Sequence, residues 1–239
     1  MQGRLIDGRY HGVAVACFIE GSGAGPKETA RLELEPDGSV AMYIGSAAVG
    51  QGLETVMAQI GADTLGLPLD HVRIFHGSTP YLQEGYGAFA SRSTILGGSA
   101  AFEGAKALLE KIRTAAAARL SVSAAKVELV DGRARISDGR SVSFAELAAE
   151  HLRVDVVFSN NNKLSYSYRS AAAHVAVDPG TGRVELPEYL VVEDVGRIVN
   201  PLTLHGQATG GVVQGLGDAF MENLVYDASG QLLTGNLAD

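Results

Sequence analysis

Three loops that contain or adjoin glycine, each followed by a helical pattern, constrain this chain more than any other feature. They lie at residues 49–52, at residues 90–94 with Gly97-Gly98 beside them, and at Gly206-Gln207 with Gly210-Gly211. Glycine supplies 30 of the 239 residues, and each ordered glycine costs backbone entropy, so the fold must need them. The start of a helix offers unpaired amide N–H groups and a positive dipole end, which suit an anionic ligand.

Two interpretations of these loops are open. In the first, serine and threonine cap the helices and the glycines only permit turns. In the second, the loops bind one polyanionic ligand, with glutamine amides and serine hydroxyls as uncharged donors and acceptors. Any one loop is explained by capping alone, but three similar loops in one chain favour the shared ligand.

The pattern of predicted elements favours the α+β class. Residues 29–35 alternate apolar and polar side chains, and Pro36-Asp37-Gly38 is a turn signal before a returning strand at 40–44. Strands arrive in hairpins and helices interrupt them, which predicts mixed β-sheets with packed helices. Further strands are predicted at 13–20, 72–75, 174–177, 184–192 and 224–226, and helices at 53–65, 93–120, 144–152 and 204–217.

The long helix is predicted to bury an apolar side that includes Leu96, Phe102, Leu108 and Ile112. The polar loop at residues 160–163 is the predicted subdomain boundary, which gives domains at 1–160 and 161–239. Gly50-Gln51 and Gly206-Gln207 each follow a strand, a Pro-Gly turn and another strand. This echo predicts two related subdomains, although two occurrences also fit chance.

Several protein classes are excluded by composition. One cysteine, Cys17, cannot form an internal disulfide or hold an iron–sulfur cluster, which needs about four thiolates. A net charge of −8 argues against a nucleic-acid surface. No apolar run approaches a membrane span, and the first residues lead into no signal peptide. We therefore expect a cytoplasmic protein that contacts neither nucleic acid nor membrane.

Familiar nucleotide and metal motifs do not fit the sequence. The run from Gly45 to Gly52 is close to a P-loop, but Gln51 stands where the lysine is needed and Gly52 where serine or threonine is needed. The six histidines have no metal-ligand spacing, so they are more simply surface or hydrogen-bonded core residues.

Four motifs follow one another along the chain. They are Gly50-Gln51-Gly52 with Thr55 and Gln59, Ala90-Ser91-Arg92-Ser93-Thr94, Asp194-Val195-Gly196 with Asn200-Pro201, and Gly206-Gln207 with Gly210, Gln214, Gly215, Leu216 and Gly217. In order and spacing they resemble the motifs of the molybdenum hydroxylases, the family of xanthine dehydrogenase, aldehyde oxidase and aerobic carbon monoxide dehydrogenase. The resemblance runs from about residue 8 to the C-terminus.

The resemblance implies a molybdenum–molybdopterin cofactor, as such or in its cytosine dinucleotide form. By motif, Gln51 lies near the molybdenum centre without being a ligand, and Gly50 lies beside the cofactor. Ala90, Ser91 and Ser93 contact the pterin or its phosphate, and Gln207 contacts the cofactor from the last loop. No residue of this chain is expected to be a metal ligand. The chain then belongs to an oxidoreductase that hydroxylates N-heterocycles or aldehydes, or oxidises carbon monoxide.

The sequence also departs from the family pattern. The general-base glutamate that the resemblance implies is expected beyond Asp239, so no catalytic residue is assigned within this chain. The chain looks like the first half of the cofactor-binding region and the start of its second subdomain, and is expected to be inactive alone. The rest of the large subunit, iron–sulfur and FAD segments or subunits, and a small-molecule substrate are the implied partners. Alternatives are a non-catalytic cofactor-binding or assembly module, and a structural fragment. An isolated chain is expected to self-associate.

Overall fold

The computed structural model describes residues 2–236 and contains two compact units. The first unit ends at Val199 and the second begins at Asn200. The α+β class is confirmed, because β-sheets and α-helices both contribute substantially. No helix among residues 2–236 is both long and apolar enough to cross a membrane.

A four-stranded mixed sheet of the first unit contains β3 Glu28–Leu34, β4 Val40–Ile44, β5 Val72–Phe75 and β9 Arg153–Phe158, and the helix α1, Leu53–Leu65, lies between β4 and β5 in the chain. The strand order is β5-β4-β3-β9. Strand β3 pairs antiparallel with β4 and β9, whereas β5 pairs parallel with β4 because α1 connects them.

The core lies between this sheet and two helices. A π-type turn, Ser93–Gly97, runs directly into the long helix α2, Gly98–Leu120. The predicted alternation is confirmed, since Ala30, Leu32 and Leu34 are buried. The core side chains with no exposed surface include Leu32, Met42, Met57, Leu108 and Ile112. Phe102 was predicted on the buried side of the helix, but 44% of its surface is exposed.

A second sheet of the first unit contains β1 Arg4–Ile6, β2 Arg9–Ser22, β10 Ser165–Val177 and β11 Val184–Asp194. It is antiparallel throughout, in the order β1-β2-β10-β11. Strand β2 and the edge strand β11 carry exposed apolar side chains. Val15 and Ile19 on β2, and Leu190 and Val192 on β11, are each more than half exposed.

The smaller elements form a three-stranded sheet and a short helix, and turns at Asp131-Gly132 and Asp138-Gly139 join the strands. They comprise β6 Glu128–Val130, β7 Arg133–Arg135, β8 Ser141–Ser143, and α3 Phe144–Leu147. The predicted helix at 144–152 is thus shorter, and a 3₁₀ turn, Ala148–Glu150, completes it. Two further 3₁₀ turns lie at Leu69–His71 and Ala124–Lys126.

The second unit contains one long helix, α4, Pro201–Phe220. Asn200 caps it, because its Oδ1 accepts a hydrogen bond of 3.0 Å from the Thr203 amide, and Pro201 occupies the first helical position. The prediction that Gly206-Gln207 begins this helix is therefore wrong, since both residues lie inside it. The strand predicted at 224–226 is only an isolated bridge between Tyr226 and Leu232.

The two predicted related subdomains are not established by this architecture. The polar loop at 160–163 does exist, and it joins β9 to β10 within the first unit. The boundary between residues 160 and 161 stays a prediction.

Candidate functional site

The first candidate loop, residues 45–52, joins β4 to α1. Gly50 and Gly52 have φ angles of 98° and 81°, in the left-handed region that favours glycine. Gly52 stands at the N-cap of α1, and no side chain caps that helix. A Cβ atom on Gly50 would meet no atom within 4 Å, so the backbone at Gly50 is open to approach. A ligand can therefore approach both the backbone and the start of the helix.

Gln51 folds its side chain over the same loop. Its Oε1 accepts a 2.7 Å hydrogen bond from the Val49 amide, whereas its Nε2 donates only a long 3.4 Å bond to the Ala47 carbonyl. Normal N–H···O bonds are about 2.7–3.2 Å long. The loop thus fixes the amide by its oxygen and leaves the nitrogen as the group most easily given to a ligand.

His76 braces this loop against the first turn of α1. Its Nε2 lies 2.8 Å from Glu54 Oε1, and its Nδ1 lies 3.5 Å from the Ala48 amide nitrogen. A carboxylate accepts and an amide donates, so the proton belongs on Nε2. The hydrogen bond from His76 holds the pKa of Glu54 below its usual 4.5.

This contact predicts a pH dependence of stability. Because the pKa of Glu54 is lowered in the folded state, its contribution is present above pH 4.5 and lost as the pH falls through the folded pKa. We expect the difference in unfolding midpoint between wild type and Glu54→Gln to narrow from about pH 6 to about pH 3 in thermal unfolding. His76→Leu is the matched control, since it removes the donor to Glu54. In the His76→Leu background, the same comparison with and without Glu54→Gln should show no narrowing. Parallel curves for wild type and Glu54→Gln would contradict the prediction.

The second candidate loop turns sharply just before the long helix. Ala90 and Ser91 have φ angles of 49° and 51°, which are uncommon for residues other than glycine. The Ala90 carbonyl accepts a 3.0 Å hydrogen bond from the Gly23 amide, and this bond helps to hold the turn. Both side chains are exposed. Such strain persists where the surrounding structure imposes it, often at ligand sites.

Ser93 carries the clearest sign of a missing partner. It is only 8% exposed, and its Oγ has no hydrogen-bond partner among the described residues. An unsatisfied buried hydroxyl costs about 1–3 kcal/mol. This hydroxyl lies at the start of the continuous helix 93–120, where the dipole favours an anion. The loop therefore suits a ligand with acceptor or anionic oxygens.

A buried ion pair lies beneath both loops and was not predicted from the sequence. Glu28 and Arg92 have no exposed side-chain surface, and Arg92 NH1 lies 2.6 Å from Glu28 Oε2. Ser46, in the first loop, donates from Oγ to the same carboxylate oxygen at 3.2 Å. The pair thus joins the loop that carries Gly50 and Gln51 to the loop that carries Ala90, Ser91 and Ser93.

The structure brings five of the six predicted site residues onto these two connected loops. The sixth, Gln207, is exposed on α4 in the second unit. Its backbone amide lies inside the helix and is not one of the free amides of a helix start. Gln207 can thus offer a ligand only its side chain. Residues 2–236 contain no group of three or more His, Cys, Asp or Glu side chains placed to hold a metal ion.

Comparison with known proteins identifies close similarities along nearly the whole chain. A family model described as the molybdopterin cofactor-binding domain matches residues 2–239. The gamma subunit of the 6-hydroxypseudooxynicotine dehydrogenase complex of Paenarthrobacter nicotinovorans is 34% identical over 98% of this chain and 31% of that protein. The large chain of carbon monoxide dehydrogenase from Hydrogenophaga pseudoflava is 26% identical over 95% of this chain and 31% of that protein.

Solved structures agree with these sequence comparisons. Quinoline 2-oxidoreductase from Pseudomonas putida 86 superposes with a TM-score of 0.86 at 29% identity, over 97% of this chain and 33% of that one. The chain therefore spans about a third of the length of the relatives that it matches.

Proposed function

Because the chain belongs to the molybdopterin cofactor-binding domain family, we propose that its two connected loops form part of the cofactor site. The membership confirms the family predicted from the four motifs. The observation that carries the proposal is the buried, unpartnered Ser93 Oγ beside the left-handed turn at Ala90 and Ser91. An oxygen of an anionic cofactor would accept a hydrogen bond from this hydroxyl and would lie at the positive end of the long helix.

The residues take different roles in this proposal. Ser91 and Ser93 supply hydroxyls and Ala90 its backbone, while Gly50 leaves the space that a close approach needs. Gln51 turns its Nε2 from the weak bond to Ala47 towards the molybdenum centre, without acting as a ligand. Gln207 adds an amide from α4. When bound, the cofactor supplies two-electron oxidation chemistry, and this chain's own part is to bind and orient it.

For the whole protein we propose an oxidoreductase of the molybdenum hydroxylase type. It hydroxylates an N-heterocycle or an aldehyde, or oxidises carbon monoxide. Among the relatives, one is named for quinoline and another for carbon monoxide, and two are named as a subunit or chain of a larger enzyme. From the resemblance of the four motifs we further propose that the general-base glutamate, iron–sulfur clusters and FAD lie on other segments or chains, and that the cofactor is the cytosine dinucleotide form. A cytoplasmic location is part of the same proposal.

The exposed apolar residues of the second sheet support partner contacts. Val15, Ile19, Leu190 and Val192 are each more than half exposed, and clustered exposed apolar side chains often mark a surface that contacts other protein. We infer that the remainder of the large subunit covers this sheet in the complete protein. A chain produced alone would cover it by self-association.

Replacement of Gln51 by alanine tests the proposed site. We expect the protein, purified as its host makes it, to retain its fold and lose molybdopterin about two- to tenfold more readily, because one hydrogen bond of about 0.5–1.5 kcal/mol is removed. The measurement is the pterin and molybdenum content per chain after extended dialysis. Gln207→Ala is expected to act in the same direction.

Gln231→Ala is the matched control, since Gln231 lies in the exposed hairpin near Tyr226 and bonds only within it. It is expected to leave the pterin content unchanged. Unchanged pterin content in both Gln51→Ala and Gln207→Ala would refute the cofactor role of the two amides and favour a structural fragment.

A further inference from the structure

We propose that Glu28 and Arg92 are a positioning pair that sets the separation of the two cofactor loops. The inference rests on the proposed cofactor site, and adds to it two residues that contact no cofactor themselves. Its starting point is that both side chains have no exposed surface, although each carries a charge.

Direct hydrogen bonds connect the Glu28–Arg92 pair to both loops. Arg92 belongs to the second loop, directly between Ser91 and Ser93. Glu28 Oε2 accepts from Arg92 NH1 at 2.6 Å and from Ser46 Oγ, in the first loop, at 3.2 Å. Ser46 Oγ and Arg92 NH1 also each lie 3.2 Å from the Gly87 carbonyl oxygen. A displacement of Glu28 would therefore move both loops.

The remaining polar atoms of the pair fix its own position. Arg92 donates from Nε to the Ala24 carbonyl at 3.0 Å and from NH2 to the Lys27 carbonyl at 2.5 Å. The amide of Thr29 donates to Glu28 Oε1 at 3.0 Å. The guanidinium also lies 5.2 Å from the centre of the Tyr86 ring. The planar, five-donor guanidinium satisfies this set in a way that a lysine ammonium does not.

Backbone packing transmits the position of Glu28 into the first loop. A Cβ atom on Gly45 would lie 2.2 Å from Glu28 Oε1, and one on Gly85 would lie 2.3 Å from the Gly45 carbonyl oxygen. Real Cβ contacts are essentially never this short, so the carboxylate and the two glycine backbones touch directly. Little free space remains in which the loop could move independently of the pair.

Stability alone does not explain a buried ion pair at this place. Replacing such a pair by apolar side chains of similar volume is often neutral or stabilising, because two charges no longer need to be desolvated. The left-handed turn at Ala90 and Ser91 is, in contrast, a conformation that the surroundings must impose. A charged pair with fixed bond directions imposes it, whereas apolar packing of the same volume does not.

The double replacement Glu28→Met with Arg92→Met separates positioning from stability. We expect the protein, purified as its host makes it, to remain folded after cofactor removal, with a lower unfolding midpoint because the Ala24, Lys27 and Gly87 carbonyl groups lose a donor. Its molybdopterin and molybdenum content should fall about tenfold or more. Glu110→Met with Arg113→Met, at an exposed ion pair on α2, is the matched control and should keep full cofactor content. A double Glu28/Arg92 variant that folds and keeps full cofactor content overturns the inference.

Two further variants make every outcome decisive. If the double variant does not fold, Arg92→Lys tests the positioning role instead, because it keeps the positive charge and loses the planar arrangement of guanidinium donors. Faster cofactor loss than in wild type, at a temperature at which circular dichroism shows both proteins fully folded, supports positioning, and unchanged cofactor loss overturns it. Gln51→Ala identifies a failure of the proposed site itself. If Gln51→Ala loses pterin and the Glu28/Arg92 variants do not, the cofactor site stands and the positioning role is refuted.

Discussion

Replacement of Arg92 by alanine is expected to lower the free energy of unfolding by about 3–5 kcal/mol, because it leaves the Glu28 carboxylate buried without its counter-ion. Both side chains are fully buried, so water does not screen the loss. The carbonyl groups of Ala24, Lys27 and Gly87 lose a donor at the same time. The measurement is urea unfolding of the cofactor-free protein, followed by circular dichroism.

Arg113→Ala is the control for this prediction, since Arg113 pairs with Glu110 on the exposed side of α2. Exposed pairs of this kind contribute about 0–1 kcal/mol. The two arginines thus differ in burial and not in charge. An Arg92→Ala variant as stable as Arg113→Ala would contradict the prediction, because it would show that the Glu28 side chain tolerates the loss of its counter-ion.

The sequence predicts those parts of the fold that depend on short-range patterns. The alternation at Ala30, Leu32 and Leu34 places β3, and the turn signal at Gly38 places β4 beside it. The helix α4 shows what happens when two local signals compete. Glycine at 206 suggested a helix start there, but Asn200 as N-cap and Pro201 at the first position are the stronger start signals.

The candidate site also contains residues that local patterns predict and residues that they do not. Gly50, Gln51, Ala90, Ser91 and Ser93 could be singled out because each lies in a short motif before a helix. The Glu28–Arg92 pair could not, because its members are 64 positions apart and meet only in the folded chain. One signal was available: Glu28 has the same parity as Ala30 and Leu32, so an acid occupies a position of the strand that faces the core. A charge there requires a buried partner.

Phe102 is a residue for which helical spacing predicts more burial than the structure shows. Its position fits the apolar side of α2, yet 44% of it is exposed, and the Lys106 ammonium lies 5.1 Å from the ring centre. A helix that packs on one sheet buries a stripe narrower than its apolar side. Small residues of α2 lie where the helix is closest to β3. A Cβ atom on Gly104 would lie 2.4 Å from Leu32 Cδ1.

Replacement of Ser93 by alanine is expected to change the stability of the cofactor-free protein and the retention of the cofactor in opposite directions. Without cofactor, the variant loses a buried hydroxyl that has no partner, so the free energy of unfolding should rise by about 1–3 kcal/mol. With cofactor, it loses a hydrogen bond to a charged group of about 1.5–3 kcal/mol, which weakens retention about 10- to 150-fold. Urea unfolding of the cofactor-free protein and the rate of pterin release measure the two effects.

Ser91→Ala is the control for the two opposite effects expected of Ser93→Ala on stability and on cofactor retention. Ser91 is exposed in the same loop, so its hydroxyl pays no desolvation penalty in the cofactor-free protein. Its replacement should therefore weaken cofactor retention without raising stability. If the Ser93 hydroxyl does not contact the cofactor, Ser93→Ala should raise the stability of the cofactor-free protein and leave cofactor retention unchanged. Lower stability of Ser93→Ala without cofactor would show that the hydroxyl is already satisfied, and the main physical support for the cofactor site would be lost.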